Sequence, residues 1–409
     1  MSASKVPFVS NRWEASGFNP RSVTSIEDLR RAPTYSVDHV RESIEANPPL
    51  GDYQGVLPSQ ARREPMRLHM SGGTTGSPRP TLFTNWDREV GGILMARSLY
   101  LGGIRPGDLV INAWSYSTHY AAWAYDRALY EWLNCVVITA GTGLVTSSEK
   151  QIEFALQYGV TSILATGDYL LRLAEVAKEM GYDPRDDLQL RALPSIDHKE
   201  QLELTFGAEV LGHYGLHEVA GVSAECPARD GLHIYEDAFI VEIVDPDTGD
   251  PLPEGELGAV CVTELYKTGS PQIRYNTMDL SYLYPREQCD CGSWLRRMAP
   301  FQGRADNMVK LRGVNVWPEA VGELAMSVDG VERDWFVRAS RRGGQDELVV
   351  SFVTTRGSSE YEALEQAVEK KIRSRLGVSV GAEAVEPGSL DAWTGLNETS
   401  KLKRFRDDR

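Results

Sequence analysis

The chain has 409 residues, of which 42% are hydrophobic and 25% are charged. This composition is typical of folded proteins and excludes wholesale disorder, and the length predicts two or three domains. Lys and Arg number 43 against 58 Asp and Glu, and the net charge of −15 disfavours nucleic acids and anionic membranes as partners. The sequence shows no signal-peptide pattern and no apolar run of ~18 residues, and its five cysteines do not form a disulfide framework. These features predict a cytoplasmic protein.

The first part of the chain alternates strand and helix patterns. Residues 1–66 are polar, with short helical patterns at Ile26 to Arg31 and Val37 to Ala46. From about residue 67 to 225, short apolar runs alternate with amphipathic ones, which predicts parallel sheets covered by helices. The predicted strands are Leu109 to Ile111, Cys135 to Ile138 and Thr161 to Ala165. The predicted helices are Ala121 to Leu133, Glu149 to Tyr158 and Tyr169 to Met180. The last of these helices has Leu170, Leu173, Ala174 and Ala177 on one face.

The remainder predicts a β-rich part followed by a smaller unit. Strands are expected at Phe239 to Val244 and Gly258 to Leu265, joined by a turn at residues 245–249. Later strands are expected near residues 335–337 and 348–353, with a helix from Glu360 to Arg375 and a basic, loop-like tail. We therefore predict an α/β fold. A large N-terminal domain, residues 1–304, combines helix-covered sheets with a β-rich subdomain, and residues 305–409 form a small α+β C-terminal domain.

A glycine-rich loop follows the apolar run Met66 to Met70. It contains Ser71, Gly72, Gly73, Thr74, Thr75, Gly76, Ser77 and Pro78. Glycines let the backbone approach a phosphate closely, so that N–H groups and the hydroxyls of Ser and Thr can donate hydrogen bonds to it. The loop lacks the Gly-Lys-Ser/Thr of a Walker motif. Taken alone, it is equally compatible with a flexible loop that binds nothing.

Three further segments follow in a fixed order. They are His213-Tyr214-Gly215-Leu216-His217-Glu218, Pro271-Gln272-Ile273-Arg274-Tyr275-Asn276-Thr277-Met278-Asp279, and Gly303-Arg304-Ala305-Asp306-Asn307 with the nearby Leu311 to Pro318. Each is a weak signal alone. In this order and spacing, the chain from about residue 67 to 409 resembles the acyl-adenylate-forming (AMP-binding) superfamily, in its phenylacetate–CoA ligase-like branch. The resemblance implies activation of a carboxylate with ATP to an acyl-AMP, release of pyrophosphate, and transfer of the acyl group to coenzyme A.

The resemblance also implies roles for the motif residues. Ser71, Gly72, Gly73, Thr74, Thr75 and Gly76 would cradle the triphosphate, and Tyr214, beside Gly215, would stack on adenine. Asp279 would accept hydrogen bonds from the ribose hydroxyls, and Arg304 would bind near the ribose and phosphate. Glu218 would hold Mg²⁺, which prefers carboxylate and phosphate oxygens. Asp306 would be the hinge about which the C-terminal domain moves.

The tail contains the candidate catalytic lysine. Ser400-Lys401-Leu402-Lys403-Arg404 resembles the Gly-Lys-x-x-Arg of the family, which identifies Lys401. A carboxylate that attacks a phosphate brings two anions together, and a fixed cation there acts in the transition state, with an effect of roughly 10²–10³ in rate. The alternatives are a solvated basic tail, or Lys403 in the catalytic role.

Four residues suggest a metal site. Cys226, His233, Cys289 and Cys291 provide three thiols and one imidazole, with a Cys-x-Cys-Gly half-site. This ligand set suits a closed, structural Zn²⁺ site, and some proteins of the branch carry zinc there. The alternative is four reduced side chains without metal. Cys135 and Cys261 lie in apolar runs and are expected in the core.

The chain departs from the family pattern at several positions. Ser77 stands where the family has Lys, His217 replaces Ser or Thr, Met278 replaces Gly, and residues 193–197 replace a Gly-Gly-Glu-Pro loop. The acyl-pocket stretch, residues 113–123, is rich in rings, which suits a flat aromatic substrate. Trp114, Tyr116 and Tyr120 are its predicted pocket residues, the alternative being that some of these rings are core. His217 is a candidate catalytic residue, which would lie near the α-phosphate and the acyl carboxylate and could donate a hydrogen bond to either or to a different substrate group.

Three functions remain open at this stage. The leading one is ATP-dependent activation of an aryl or arylalkanoic acid, with transfer to coenzyme A or to the thiol of a carrier protein. The second is an ATP-dependent diazotase that joins nitrite to an aryl amine at the same site. The third is a degenerate nucleotide-binding protein, which the joint retention of Glu218, Asp279, Arg304 and Lys401 disfavours. Homodimerisation is an expectation of the resemblance alone.

Overall fold

The computed structural model describes residues 5–71, 78–311, 314–332, 334–342, 345–395 and 402–409. The chain divides into two compact units, Met1–Gln302 and Gly303–Arg409. Both combine helices with sheets, which confirms the predicted α/β class. None of the helices in the described ranges is long and apolar enough to cross a membrane.

The helices of the first unit cover its sheets. Their bounds are α1 Pro7–Ala15, α2 Ile26–Leu29, α3 Val37–Ala46, α4 Asn85–Leu101, α5 Ala121–Arg127, α6 Ser148–Tyr158, α7 Gly167–Glu179 and α8 Lys199–Phe206. Local chemistry sets the ends: Thr84 caps α4 by accepting from the backbone N–H of Asp87, and α6 ends at Gly159 in the left-handed region (φ +67°). The helix predicted from Ala121 ends at Arg127, and a π-helical turn, Ala128–Trp132, completes it.

A three-stranded parallel sheet forms part of this unit. It contains β3 Leu109–Asn112, β4 Val136–Ile138 and β5 Ser162–Leu164, in the order β4-β3-β5. The predicted face of α7 packs in the adjoining core, where Leu170, Leu173 and Ala177 are buried. The prediction of helix-covered parallel sheets is therefore confirmed for residues 109–164.

The remaining strands of the first unit are antiparallel, and they position most of the site. Two, β1 Met66–Met70 and β2 Pro80–Thr84, pair across the glycine-rich loop. The strands β6 His213–Leu216, β7 Ala220–Glu225, β8 Leu232–Ile234 and β12 Arg297–Met298 form a sheet in the order β12-β8-β7-β6. A third sheet, in the order β11-β10-β9, contains β9 Phe239–Val244, β10 Gly258–Glu264 and β11 Tyr275–Ser281. Side chains from the last two sheets share one hydrophobic core.

The second unit is a mixed sheet with a helix packed on it. Its strands and helices are β13 Val309–Leu311, β14 Val314–Val316, α9 Pro318–Met326, β15 Trp335–Arg342, β16 Gln345–Val353, α10 Tyr361–Leu376, β17 Gly381–Val385, α11 Asp391–Thr394 and β18 Phe405–Asp407. The main sheet has the order β17-β16-β15-β18. The side chains of Leu364, Val368 and Ile372 on α10 are buried against it. The basic tail ends in β18, which was not predicted and which pairs in parallel with β15.

Candidate active site and metal centre

The carboxylate of Glu218 lies beside a guanidinium. Glu218 follows β6, and Arg79 precedes β2; their side chains meet with Nη2 of Arg79 2.9 Å from Oε1 of Glu218. Burial opposes ionisation of Glu218, but the charge of Arg79, with smaller contributions from His217 and from hydrogen bonds, lowers its pKa below the ordinary value. Glu218 is therefore ionised at neutral pH. A carboxylate has about four acceptor positions, so it can bind a cation in addition to Arg79.

The predicted adenine and ribose residues contact each other. The hydroxyl of Tyr214, on β6, donates to Oδ2 of Asp279, on β11, at 2.9 Å. Both side chains are buried, and Gly215 follows Tyr214 on β6. The residue before Asp279 is Met278, whose φ of +63° explains why glycine suits this position.

The two ends of the glycine-rich loop are joined. The backbone N–H of Ser71 donates to the carbonyl of Arg79 at 3.1 Å, and the N–H of Arg79 donates to Oγ of Ser71 at 3.3 Å. Residues Gly72, Gly73, Thr74, Thr75, Gly76 and Ser77 lie outside the described residues. The structure thus defines both ends of the predicted phosphate loop, and Arg79 supplies a cation at one of them.

Three imidazole rings cluster beside Glu218. The ring centroid of His217 lies 4.8 Å from that of His119 and 6.5 Å from that of His69. His69, on β1, also contacts the rings of Phe83 and Tyr120. Both ring nitrogens of His217 and Nε2 of His69 are buried, with no hydrogen-bond partner among the described residues.

The ring-rich stretch, residues 113–123, includes His119 of this histidine cluster and contacts His69 through Tyr120. Tyr120 is buried and stacks on Phe83, with ring centroids 4.3 Å apart. Trp114 is half-buried against Tyr125, and the hydroxyl of Tyr116 donates to Asp126 at 3.0 Å. Of the three predicted pocket rings, Tyr120 is the one in contact with His69.

The remaining predicted site residues belong to the second unit. Arg304 forms a two-point ion pair with Asp306, with N···O distances of 2.7 Å in both contacts. Lys401 lies outside the described residues. Lys403 is exposed, and its backbone N–H donates to the carbonyl of Thr394 at 2.8 Å. Arg404 is held by an ion pair with Asp334.

The four residues of the candidate metal centre come together in the first unit. The ligand atoms of Cys226, His233, Cys289 and Cys291 all lie within 4.8 Å of one another. The sulfurs of Cys226 and Cys289 are 3.7 Å apart, and the sulfur of Cys291 is 3.4 Å from Nε2 of His233. In a tetrahedral zinc site with Zn–S bonds of about 2.3 Å, two sulfurs lie about 3.8 Å apart. The donor set and its spacing therefore fit Zn²⁺. Cys135 and Cys261 are buried, as predicted for core residues.

Three residues of the site were not identified from the sequence. They are Arg79, His69 and Lys267. The buried ammonium of Lys267 donates to the backbone carbonyl of Glu218 and lies 4.1 Å from the centroid of the Phe83 ring. For Arg79, a signal existed, since an arginine two residues after Ser77 offers a cation where the family lysine is missing. His69 and Lys267 carry no comparable signal, because only tertiary contacts bring them to Glu218 and His217.

Comparison with known proteins identifies the family. A profile of the AMP-binding enzyme C-terminal domain matches residues 313–409. Phenylacetate-coenzyme A ligase of Thermus thermophilus is 31% identical over 428 aligned residues, which cover 98% of this chain and 92% of the relative. The phenylacetate-coenzyme A ligase of Pseudomonas putida is 32% identical, with coverage of 95% and 88%. The chain belongs to the phenylacetate–CoA ligase-like branch of the acyl-adenylate-forming enzymes.

A solved structure agrees with this family. The 2-hydroxyisobutyryl-CoA ligase in its postadenylation state, in complex with R3-HIB-AMP, is 26% identical and has a TM-score of 0.87, with 100% of this chain and 87% of the other covered. The resemblance predicted from the motifs is confirmed. As a phenylacetate–CoA ligase-like protein, the chain is an AMP-forming acid–thiol ligase.

Proposed function

We propose that this phenylacetate–CoA ligase-like protein activates an aromatic carboxylic acid with ATP and transfers the acyl group to coenzyme A. The observation that carries the proposal is that Glu218 pairs with Arg79 and directly follows His217, whose ring contacts the ring of His119. Charged groups suited to a nucleotide thus adjoin rings suited to an aromatic acid. The 2-hydroxyisobutyryl-CoA ligase, whose complexes include an acyl-AMP with CoA, supports the two-step chemistry.

The nucleotide side of the proposal rests on Tyr214 and Asp279. The hydrogen bond from Tyr214 orients the Asp279 carboxylate, and a carboxylate has about four acceptor positions, so it could also accept from the ribose hydroxyls. We assign adenine stacking to Tyr214, contacts near the ribose and phosphate to Arg304, and the hinge to Asp306. The loop from Ser71 to Gly76 would bind the triphosphate through backbone N–H groups and hydroxyls.

The acid side rests on the rings around His69 and His217. An aromatic acid stacks on or packs edge-on against such rings. Trp114, Tyr116 and Tyr120 remain the proposed lining of this pocket. A flat acid placed there would present its carboxylate toward Glu218 and the phosphate loop.

Two metals belong to the proposal. Glu218 would hold Mg²⁺, which would neutralise phosphate charge during pyrophosphate release. Cys226, His233, Cys289 and Cys291 would hold a structural Zn²⁺, because four protein ligands close the coordination shell and leave no position for substrate.

The reaction consists of two displacements. A carboxylate oxygen of the acid attacks the α-phosphorus of ATP, and the bond to the pyrophosphate oxygen breaks. The sulfur of coenzyme A, having lost its proton, then attacks the acyl carbon, and AMP leaves with the electron pair of the C–O bond. In the first step, Lys401 would compensate the charge that builds between the two anions.

The first test is pyrophosphate release from ATP across a panel of aryl and arylalkanoic acids and aryl amines. Each compound is assayed alone, with coenzyme A, and with nitrite. We expect release with one or more acids alone, and thioester with coenzyme A. Pyrophosphate release that requires nitrite would contradict the proposal in favour of diazotisation. An acyl-AMP that reacts only with a carrier-protein thiol would show that the acceptor is a carrier protein and not coenzyme A.

The second test concerns Lys401. Lys401→Ala should reduce adenylate formation by roughly 10²–10³-fold, because a transition-state cation is lost. ATP binding, measured by calorimetry, and the unfolding temperature should change little. Lys403→Ala is the matched control and should retain most activity. An unimpaired Lys401→Ala variant would remove this lysine from the mechanism.

A further inference from the structure

The imidazole of His69 has a fixed tautomer. Its Nδ1 lies 3.2 Å from the backbone carbonyl oxygen of Thr118. A carbonyl oxygen only accepts hydrogen bonds, so Nδ1 carries a proton and donates it. The ring is buried (3% exposed), and burial, opposed by the bond to Thr118 and helped by nearby Arg67, Arg88 and His119, lowers its pKa to about 4. His69 is therefore neutral at pH 7, and its Nε2 is a lone-pair acceptor.

This acceptor has no partner among the described residues, although it is buried. The imidazole of His217 is too distant for a direct bond, since the two ring centroids are 6.5 Å apart. Both nitrogens of His217 are likewise buried without a partner in the described part of the chain. Buried polar atoms in folded proteins nearly always have a partner, so unpartnered nitrogens among the residues proposed to contact the acid indicate a ligand group that pairs with them.

The polarity of Nε2 limits what that group can be. A carboxylate or phosphate oxygen accepts hydrogen bonds and cannot pair with a lone pair. An unsubstituted ring would leave Nε2 unpaired. A hydroxyl or an amino group supplies the donor that is needed. His217, with one nitrogen that donates and one that accepts when neutral, suits the same group, because hydroxyl and amino groups offer both functions.

We propose that the acid activated by this protein carries a hydroxyl or amino substituent that donates a hydrogen bond to Nε2 of His69 and pairs with His217. This inference rests on the proposed function and deepens it, because it names the substrate class. His69 and His217 are then residues that determine specificity, and Glu218 and Asp279 serve the nucleotide.

The test compares matched acids on one enzyme. Benzoate and phenylacetate are assayed beside their hydroxy, amino and methoxy derivatives at the ortho, meta and para positions. A methoxy group keeps the oxygen acceptor and lacks the donor. We expect one hydroxy-substituted or amino-substituted acid to exceed both its unsubstituted and its methoxy counterpart by about 10- to 100-fold in kcat/KM for pyrophosphate release. The reason is that loss of the donor leaves a buried acceptor unpaired.

Variants of His69 assign the preference to this residue. His69→Leu fills a similar volume without an acceptor and should abolish the preference, so that the ratio of kcat/KM between the substituted and the unsubstituted acid falls toward 1. His69→Gln, whose amide oxygen accepts, should retain part of the preference. His217→Leu should reduce it as well. Thermal unfolding of each variant checks that it is folded, and the comparison of acids on the unaltered protein stands even if one variant is not.

The outcomes separate this inference from the proposed function. No pyrophosphate release with any acid would contradict the proposed function. Release at equal rates with hydroxy, methoxy and unsubstituted acids would contradict the proposed donor substituent without contradicting the proposed ligase function. A preference that survives in His69→Leu would overturn the role of His69. An equal loss for all acids in His217→Leu would show that His217 contacts the shared carboxylate instead.

Discussion

Arg79 sets the charge state of the carboxylate proposed to bind magnesium. Glu218 is buried, and burial alone would raise its pKa. The guanidinium 2.9 Å away supplies the largest opposing effect. Arg79 and Glu218 therefore act as one unit, in which a cation from the end of the glycine-rich loop keeps the Glu218 carboxylate ionised.

Removal of Arg79 should change how activity depends on pH. In Arg79→Ala, Glu218 remains buried and loses its principal positive neighbour, so the pKa of Glu218 rises. We expect the acidic limb of the pH–rate profile for pyrophosphate release to move to higher pH, with a fall in rate on the order of 10- to 100-fold at neutral pH. Arg79→Lys keeps a positive charge and should shift the limb less. An unchanged profile in Arg79→Ala would contradict this role.

The sequence identified individual site residues where a motif contains them. Tyr214, Glu218 and Asp279 lie in short segments whose order is itself informative. Arg79 contacts Glu218 across 139 positions, and the bond from His69 to Thr118 spans 49. Such contacts depend on the strand pairing of β1 with β2 and on the sheet that carries β6. Local patterns do not encode them.

Within β11, one residue has an unfavourable backbone conformation. Met278 has a φ of +63°, in the left-handed region that L-residues other than Asn, Asp and Gly rarely adopt. The next residue is Asp279, which receives the hydrogen bond from Tyr214. The turn of the backbone at Met278 thus sets the direction of the proposed ribose-binding carboxylate.

Substitutions at Met278 should follow this conformation. Met278→Val should lower the free energy of unfolding by about 1 to 2 kcal/mol, because a β-branched side chain is worse in the left-handed region. It should also raise the KM for ATP by displacing Asp279. Met278→Gly is the matched control, which removes the strain and should retain ATP binding. Equal stability of the Val and Gly variants in denaturant titrations would contradict this explanation.

At the level of elements, the type and bounds of segments with one clear hydrophobic period were predicted correctly. The strand Phe239–Val244 and the helix Val37–Ala46 agree with their predicted bounds. The helix Asn85–Leu101 was not predicted, because its buried residues include Gly91, Gly92 and Ser98, which interrupt an apolar stripe. The parallel direction predicted for residues 67–225 is wrong for β1, β2, β6 and β7, which pair antiparallel, since a short buried strand has the same pattern in either orientation.

For the whole molecule, the candidate zinc centre should contribute to stability. Cys226 follows β7, His233 lies on β8, and Cys289 and Cys291 come from the loop before β12, so a shared metal would cross-link segments about 60 residues apart. We expect close to one zinc per chain by elemental analysis of protein prepared without added metal. Cys289→Ser should lose the zinc and unfold at a lower temperature. Cys261→Ser changes a buried cysteine outside the cluster and is the control that should keep the metal. Absence of zinc from the unaltered protein would refute the site.

Buried histidines should make the protein less stable in acid. Burial lowers the pKa of His213 from 6.5 to about 4, so the unfolded chain binds more protons than the folded one between these values. This stabilisation is complete above pH ~6.5 and is lost as the pH falls toward ~4. In His213→Leu, the fall in unfolding free energy between about pH 7.5 and about pH 5 should shrink by about 1 to 2 kcal/mol.

A second variant separates titration from hydrogen bonding at this position. The hydroxyl of Tyr125 lies 2.8 Å from Nε2 of His213. Tyr125→Phe removes that bond and keeps the imidazole, so its unfolding free energy should depend on pH as in the unaltered protein. If His213→Leu and the unaltered protein show the same pH dependence in denaturant titrations, His213 does not titrate on unfolding.

The residues before β1 lie outside the segment that carries the motifs, yet they form hydrogen bonds at the end of the glycine-rich loop. The hydroxyl of Tyr53 and the amide of Gln54 both donate to the carbonyl of Pro80, directly after Arg79. The amide oxygen of Gln54 also receives the hydroxyl of Ser270. The N-terminal segment thus connects the end of the glycine-rich loop to the stretch that leads into β11. A shortened enzyme that begins at the first recognisable motif would keep every motif residue and lose the support that aligns them.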